Sequence, residues 1–404
     1  MPITVASARE RLLAECLDEV GALKEAGRYR RLRCLEAVDG PVVRIEGREL
    51  VCWCANDYLG LSTHPALAQA AAETAAAWGV GARASRLLGG TSQWHVRLEE
   101  SLAAWCGAEA ALSYASGYLA NLGTLGALLS SQDAVIVDRL AHASLFDAAR
   151  GSRARLRVFR HNDASHAAEL LSRARGFRRR VIVTEGVFSM EGDRAPLEEL
   201  VTIAEAHDAL VYLDDAHGAF VLGESGRGAP EAAGVSMDRV LYMGAMGKAL
   251  GCQGGFVAGP APLIDLLRNR ARAFIYTTAL AVPVAAAAVA ALTVLRDEPD
   301  RRARLWSRAR ALRRRLGALP AVSLPEPSHI LPIVVGQVSL ARELAERLWS
   351  RGIWAPAIRP PTVSERTARL RLSVTALHTD AQIDQLARAL EEFLSAHFKT
   401  SGDR

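Results

Sequence analysis

The sequence predicts an α/β fold: a large domain with a mostly parallel central sheet, followed by a smaller α+β C-terminal domain. Between about residues 105 and 260, short apolar runs alternate with helical periods, as expected of strands joined by helices. After an alanine-rich stretch at residues 277–295 the pattern changes to fewer strands and long amphipathic helices. A chain of 404 residues is long enough for two lobes.

Five apolar runs predict the strands of the central sheet. They are AVIVD (134–138), RVIVTEGVFS (180–189), ALVYLDD (209–215), RVLYMGAM (239–246) and GGFVAG (254–259). Residues 196–208, PLEELVTIAEAHD, have apolar positions at helical spacing and predict a connecting helix. Strands that are apolar throughout and separated by helices indicate a parallel sheet covered on both faces.

Several of these strands end in a polar side chain. Asp138, Glu185, Ser189 and Asp214 occupy such positions. Ligands of open α/β sheets bind beyond the carboxyl ends of the strands. We therefore expect these side chains to converge on one cleft.

Residues 277–295 carry no charge over nineteen positions, which is close to the length of a membrane span. The stretch is mostly alanine, which contributes little to insertion, and Pro283 lies near its start. Proline is favoured in the first turn of a helix. We therefore predict a buried helix and no membrane association.

The C-terminal part of the chain predicts a second lobe. An arginine-dense helix is expected at residues 300–316, and SHILPIVVG and RLRLSVTA each predict a strand followed by an amphipathic helix. The first fifty or so residues are expected to join this lobe. The predicted divisions are an N-terminal segment at 1–50, a large cofactor-binding domain at 51–290 and a small domain at 291–404.

Composition limits the possible partners and compartment. With 49 basic and 44 acidic residues the formal net charge is +5, which suits acidic ligands such as phosphates or coenzyme A but is weak support for nucleic acid. The six cysteines are scattered, without zinc spacing or a disulfide framework. The N-terminus lacks an apolar signal core. We therefore expect a cytoplasmic protein with no metal site and no nucleic-acid partner.

Lys248 stands alone in the segment GAMGKALGCQGG (244–255), with no acid within nine residues on either side. Only three of the 49 basic residues are lysines, the others being Lys24 and Lys399. The chain therefore uses arginine almost everywhere a plain positive charge would serve. Unlike arginine, lysine can lose its proton and act as an amine nucleophile, which is the role we predict for Lys248.

The segment VYLDDAHGAF (211–220) places two aspartates and a histidine at the end of a buried strand. A helix N-cap would explain one aspartate but not the whole group. An imine-forming amine and a strand-end acid suit pyridoxal 5′-phosphate (PLP), whose protonated pyridine ring needs a carboxylate partner. A glycine turn before a helix, ASGYLANLG (115–123), can bind the phosphate, and His142 can cover the ring.

The order of these motifs resembles the α-oxoamine synthases, PLP-dependent enzymes of fold type I, over nearly the whole chain. The EGVFSM, DDAHG and GKALG blocks are specific to that superfamily, and two further segments lean towards its biotin-pathway members, namely GRYRRLRCLEAVDGP (27–41) and IRPPTVSERTARLRLSVTALH (358–378). The resemblance implies a homodimeric acyltransferase that condenses L-alanine with a pimeloyl thioester, releasing carbon dioxide and the free thiol. The thioester could be carried by coenzyme A or by an acyl carrier protein.

The resemblance also implies roles for individual residues at the cofactor. Lys248 would bind the PLP aldehyde and later take the α-proton, and Asp214 would pair with the pyridinium nitrogen. His142 would stack on the ring and could help as an acid. The remaining cofactor contacts would be His217 and Ser189 at the ring hydroxyl, Ser116, Gly117 and Tyr118 near the phosphate, and Thr278 at the phosphate of the opposite subunit.

Asn56 and Arg371 would receive the amino-acid carboxylate, Arg371 as a bidentate fork. One position departs from the family pattern: three residues before the lysine, where a threonine or serine usually binds phosphate, this chain has Ala245.

Three alternative functions remain open. They are an α-oxoamine synthase for glycine or serine or with another acyl group, an aminotransferase or lyase on the same fold, and a catalytically inactive partner subunit.

Overall fold

The computed structural model describes residues 7–317, 319, 322, 324 and 328–398. Lys399 and the ends of the predicted terminal segments lie outside these residues. The strands are β1 Ala37–Asp39, β2 Val42–Ile45, β3 Arg48–Cys52, β4 Ala110–Tyr114, β5 Ala134–Asp138, β6 Arg155–Phe159, β7 Arg180–Glu185, β8 Leu210–Asp214, β9 Leu241–Ala245, β10 Gly255–Gly259, β11 Ile330–Gly336, β12 Ile353–Trp354, β13 Ala357–Ile358 and β14 Ala368–Ser373.

The α-helices lie between these strands and at both ends of the described chain. They are α1 Ala8–Glu25, α2 Pro65–Trp78, α3 Gln93–Cys106, α4 Gly117–Leu128, α5 Ala143–Gly151, α6 Ala164–Ser172, α7 Leu197–Ala206, α8 Ala229–Ala232, α9 Ala261–Arg270, α10 Arg272–Ile275, α11 Val282–Asp297, α12 Asp300–Leu316, α13 Val338–Ser350 and α14 Asp380–His397.

The central sheet has seven strands in the order β4-β10-β9-β8-β7-β5-β6. The strands from β9 to β6 are parallel, whereas β10 runs antiparallel to both β9 and β4. Alternate side chains of β5 enter two hydrophobic cores on opposite faces, Ile136 in one and Val135 and Val137 in the other. The predicted mostly parallel sheet with both faces covered is confirmed.

Two smaller sheets accompany the central one. One of them has the strand order β11-β14-β13, and each pair of neighbouring strands in it is antiparallel. In the other, β1, β2 and β3 form an antiparallel ribbon, and β3 pairs in parallel with β12 from the C-terminal part of the chain. The sheet that contains β1 and β2 thus reaches the C-terminal part of the chain through Val51 and Cys52 at the end of β3, while the domain boundaries themselves stay a prediction.

The alanine-rich stretch forms α11, with Pro283 in its first turn and a largely buried surface that contacts α2 and α3. The predicted buried helix is confirmed. Within the described residues, no helix is both long and apolar enough to cross a membrane. The arginine-dense helix is α12.

The end of β7 corrects one sequence expectation. The apolar run predicted a strand to residue 189, but β7 ends at Glu185. A Cβ at Gly186 would lie 2.0 Å from Oδ1 of Asp215, so the glycine lets the backbone approach the end of β8 closely. Beyond it, residues 186–194 form a loop closed by a bridge between Val187 and Arg194.

Candidate active site

A cavity of about 310 Å³ opens at the carboxyl ends of β7, β8 and β9. Eight of the predicted site residues line it, together with residues that the sequence did not single out. The lining is Asn56, Ser116, Gly117, Tyr118, Asn121, His142, Ser144, Glu185, Asp214, Ala216, His217, Met243, Ala245, Gly247, Lys248, Gln253 and Gly254.

Lys248 lies in the turn after β9 and is half-buried. Its Nζ is 2.8 Å from Nε2 of His217. Burial lowers the pKa of Lys248 to about 8, although the Asp214 and Glu185 carboxylates oppose this shift. A substantial fraction of this amine is therefore neutral near physiological pH, as a nucleophile towards an aldehyde must be.

Asp214 is the last residue of β8 and is buried. Its Oδ1 accepts a hydrogen bond from the Ala216 amide at 3.0 Å, and its Oδ2 accepts one from Asn121 Nδ2 at 2.8 Å. Asn121 is in turn oriented by the Tyr212 hydroxyl, which donates to its Oδ1 at 2.7 Å. The carboxylate is thus fixed in the cavity wall by two direct partners, one of which Tyr212 orients.

Ser116 and Gly117 lie at the start of α4 and also line the cavity. Ser116 is the N-cap, and its Oγ accepts a hydrogen bond from the Leu119 amide at 3.2 Å. A Cβ at Gly255 would lie 2.6 Å from the Gly117 nitrogen, so only glycine allows β10 to approach this helix start so closely. A helix N-terminus with free amide donors is a site for a phosphate.

His142 caps α5, and its backbone N–H donates to Oε1 of Glu185. Its Nδ1 is 2.8 Å from Oγ of Ser144, which directs the ring. Burial lowers the pKa of His142. Burial together with the Asp214 charge raises the pKa of Glu185 well above its ordinary value. The His142 ring, oriented by Ser144, lines the cavity.

A line of hydrogen bonds joins Lys248 to Arg371 on β14. His217 Nδ1 is 2.6 Å from the Tyr58 hydroxyl. Arg371 Nη2 donates to that hydroxyl at 3.0 Å, and Nη1 donates to Asn56 Oδ1 at 2.9 Å. Burial and the nearby Lys248 and Arg371 charges lower the pKa of His217 well below its ordinary value. Arg371 and Asn56 thus lie together, and their role towards a substrate carboxylate stays a prediction.

Three predicted residues lie outside the described lining of the cavity. Arg371 borders it through Asn56. Ser189 lies in the 186–194 loop, where its carbonyl accepts a hydrogen bond from Arg371 Nε. Thr278 is exposed and forms a bridge with Ser85. The predicted roles of Ser189 and Thr278 at the cofactor stay predictions.

The expected convergence of strand-end groups is correct for Glu185 and Asp214 but wrong for Asp138. The Asp138 carboxylate instead contacts His161, at 3.0 Å between Oδ1 and Nδ1. β5 is separated from β8 by β7 in the sheet, which explains why its end lies further from the cavity. Conversely, the sequence reasoning missed Asn121 and Tyr58, although a lone amide in the apolar α4 is a signal that could have identified Asn121.

The residues present fit PLP. An amine of lowered pKa, a fixed carboxylate and a glycine-lined helix start surround one cavity of about 310 Å³. These groups match the aldehyde, the pyridine nitrogen and the phosphate respectively. Ala245, whose side chain lacks a donor, also lines the cavity close to Gly117.

The fold and this set of groups define a PLP-dependent enzyme of fold type I. The family model for aminotransferases of class I and II matches residues 48–390. A curated relative from Chromobacterium violaceum, named 8-amino-7-oxononanoate synthase, is 45% identical over 91% of this chain and 95% of its own length. Another of that name, from Anaeromyxobacter dehalogenans, is 46% identical over 94% and 96%.

Solved structures of related enzymes also match most of the chain. A serine palmitoyltransferase from Sphingomonas wittichii matches with a TM-score of 0.90 and 30% identity over 97% of this chain and 99% of its own. One from S. paucimobilis, with a bound PLP–myriocin aldimine, matches at 0.90 and 31% over 95% and 97%. The 8-amino-7-oxononanoate synthase from Francisella tularensis matches at 0.74 and 29% over 86% and 97%. The chain belongs to the class I and II aminotransferase family and, within it, to the α-oxoamine synthases.

Proposed function

We propose that this enzyme catalyses the decarboxylating condensation of L-alanine with a pimeloyl thioester to 8-amino-7-oxononanoate, a step of biotin biosynthesis. The observation that carries the proposal is the hydrogen-bonded line from Lys248 through His217 and Tyr58 to Arg371. This line joins an amine nucleophile to a guanidinium group that can bind a carboxylate. The relatives of that name support the choice of reaction, at 43–46% identity over most of the chain.

Each residue has a distinct task in this reaction. Arg371 and Asn56 hold the carboxylate of L-alanine, which directs its amino group towards Lys248. Asp214 keeps a proton on the pyridine nitrogen. When bound, PLP supplies an electron sink for the negative charge that develops at the α-carbon. Lys248, with its lowered pKa, takes the α-proton, and His142 polarises the thioester carbonyl.

A second cavity supports an anionic acyl donor. It has a volume of about 660 Å³ and its lining includes Lys24 and five arginines against the single acid Glu346. β13 borders this cavity and pairs with β14, the strand that carries Arg371. The arginines are Arg30, Arg31, Arg33, Arg342 and Arg359. We propose that the phosphates of coenzyme A, or the acidic surface of a carrier protein, approach the active site here.

We further propose a cytoplasmic homodimer in which Thr278 reaches the phosphate of the partner subunit. Thr278 is exposed beside Ser85, and Leu87, Leu88 and Tyr276 expose apolar side chains nearby in the sequence. Exposed apolar groups of this kind suit a second copy of the chain. The free thiols of the described residues suit a reducing compartment.

The test is thiol release from pimeloyl-CoA and from a pimeloyl carrier protein by purified enzyme, with Lys248→Ala as the control. Release that requires both L-alanine and Lys248 is the expected result. The second candidate uses glycine or serine and is favoured by the match to serine palmitoyltransferases, although these are only 30–31% identical. Faster release with L-serine or glycine than with L-alanine would select it.

A further inference from the structure

Outside the cavity, the described residues contain a partly buried cluster centred on His161, which follows β6. Its Nδ1 is 3.0 Å from Oδ1 of Asp138, and its Nε2 is 2.8 Å from Oδ2 of Asp193. Both ring nitrogens therefore face carboxylate oxygens, and only the imidazolium can donate to both. Burial alone would lower the pKa of His161, but the two carboxylates outweigh it and raise the pKa to about 9.

Asp193 belongs to the loop formed by residues 186–194. The loop is closed on itself, because the Phe188 amide donates to the Asp193 carbonyl at 2.9 Å and the Gly192 amide donates to the Phe188 carbonyl at 2.8 Å. Asn162 adds a hydrogen bond to the Asp193 carboxylate at 3.1 Å. The His161 and Phe188 rings are also perpendicular to each other, with centroids 4.4 Å apart. His161 and its neighbour thus fix this side of the loop to the sheet.

The other side of the same loop holds two arginines of β14. The Ser189 carbonyl accepts from Arg371 Nε. The Met190 carbonyl accepts from Arg369 Nη1 at 2.9 Å, as does Glu191 Oε1 at 3.0 Å. One short loop therefore connects the His161 cluster to the guanidinium group predicted to bind the substrate carboxylate.

We propose that His161 is a positioning residue for the amino-acid substrate: by tying Asp193 to the sheet, it sets the Ser189 carbonyl that orients the Arg371 fork. This inference rests on the proposed function in one respect, the role of Arg371 towards a carboxylate. The His161 side chain is not part of the cavity lining described above and has no contact with the reacting groups. Because its only route to the substrate in this proposal is through Arg371, we expect its effect to be specific to the carboxylate.

The test compares two amines that differ only in the carboxylate, L-alanine and ethylamine, in holoenzyme carrying His161→Gln. Binding is followed by the absorbance change of the bound cofactor, which needs no acyl thioester. We expect the affinity for L-alanine to fall about tenfold, equivalent to the loss of about one net hydrogen bond. The reaction with ethylamine and the affinity for PLP should stay unchanged.

The matched control is His166→Gln, on the same segment. His166 accepts a hydrogen bond from the Arg160 amide through Nδ1, and its own amide donates to Asp163. Both partners lie outside the 186–194 loop, so this variant should bind L-alanine normally. The near-isosteric Asp193→Asn should reproduce the His161→Gln defect, and it serves as the main variant if His161→Gln does not fold. The double variant should bind L-alanine no more weakly than either single variant, because both substitutions break the same link.

Two results would overturn the inference: unchanged affinity for L-alanine, or equal losses for L-alanine and ethylamine, which would indicate a general structural defect. Failure of the proposed function is distinguishable. If wild-type enzyme binds L-serine or glycine better than L-alanine, the same comparison is made with ethanolamine or methylamine as the amine lacking the carboxylate. The positioning role is then decided independently of which amino acid is the substrate.

Discussion

Ala245 offers a test of the cofactor site, through the substitution Ala245→Thr compared with Ala245→Val. Ala245 ends β9 and is only 6% exposed. A Cβ at Gly117 would lie 3.6 Å from the Ala245 Cβ, so the side chain at position 245 faces the start of α4. A threonine hydroxyl there could donate to an anion at that helix start. A hydrogen bond to a charged group contributes about 1.5–3 kcal/mol, which is about 10- to 150-fold in Kd.

The assay is titration of apoenzyme with PLP, followed by the absorbance of the bound cofactor. Ala245→Val is the matched control, because valine has nearly the shape of threonine without the hydroxyl and has the same overpacking cost of about 1–3 kcal/mol. We expect the threonine variant to bind PLP at least tenfold more tightly than the valine variant. Equal affinities of the two variants would refute the assignment of this wall of the cavity to the phosphate.

Three further predictions concern the amine, the fork and the dimer. Only a neutral amine attacks an aldehyde, so the rate of PLP capture by apoenzyme should rise with pH through about 8, the pKa of Lys248. An ordinary lysine would give this rise near 10.4. Stopped-flow absorbance measures the rate. Arg371→Lys should raise KM for L-alanine at least tenfold while leaving PLP affinity unchanged, because an ammonium cannot replace the fork; steady-state kinetics and PLP titration measure this. Thr278→Val should weaken PLP binding. Mixing Thr278→Val subunits with Lys248→Ala subunits should restore one intact site per mixed dimer, and failure of this complementation would contradict a shared site.

Much of the fold follows from local patterns in the sequence. β5 coincides with its apolar run, and the helix predicted at 196–208 is observed as α7. β6 was missed because its sequence RLRVF alternates arginine with apolar residues, as expected of a strand at the sheet edge. The end of β7 was misplaced because the run stays apolar beyond Glu185, whereas Gly186 lies close to Asp215, a tertiary contact that the local pattern does not show.

The same distinction applies to the site. Lys248 and Asp214 were predictable, because each places a charge where the local pattern is apolar. Tyr58 was not predicted, since nothing in its surrounding sequence shows that its hydroxyl meets His217, which is 159 positions away. Hydrogen-bond partners of this kind depend on the tertiary fold, and only the folded chain brings them together.

Tyr58 therefore provides a test of whether the line from Lys248 to Arg371 works as a unit. Its hydroxyl has one proton but two possible acceptors, His217 Nδ1 at 2.6 Å and Asn56 Oδ1 at 3.1 Å, and it also accepts from Arg371. In Tyr58→Phe, buried partners on both sides lose a hydrogen bond, each at a cost of about 1–3 kcal/mol.

If the line acts as a unit, Tyr58→Phe should both weaken L-alanine binding and shift the pH dependence of PLP capture by Lys248. The first effect follows because Arg371 loses an anchor, and the second because His217, which contacts Nζ, loses the partner of its other nitrogen. Spectral titration with L-alanine and the pH profile of PLP capture by apoenzyme measure the two effects separately. A change in alanine affinity with an unaltered pH profile would show that Arg371 and Lys248 act independently. The hydrogen bonds between them would then serve only to satisfy buried polar groups.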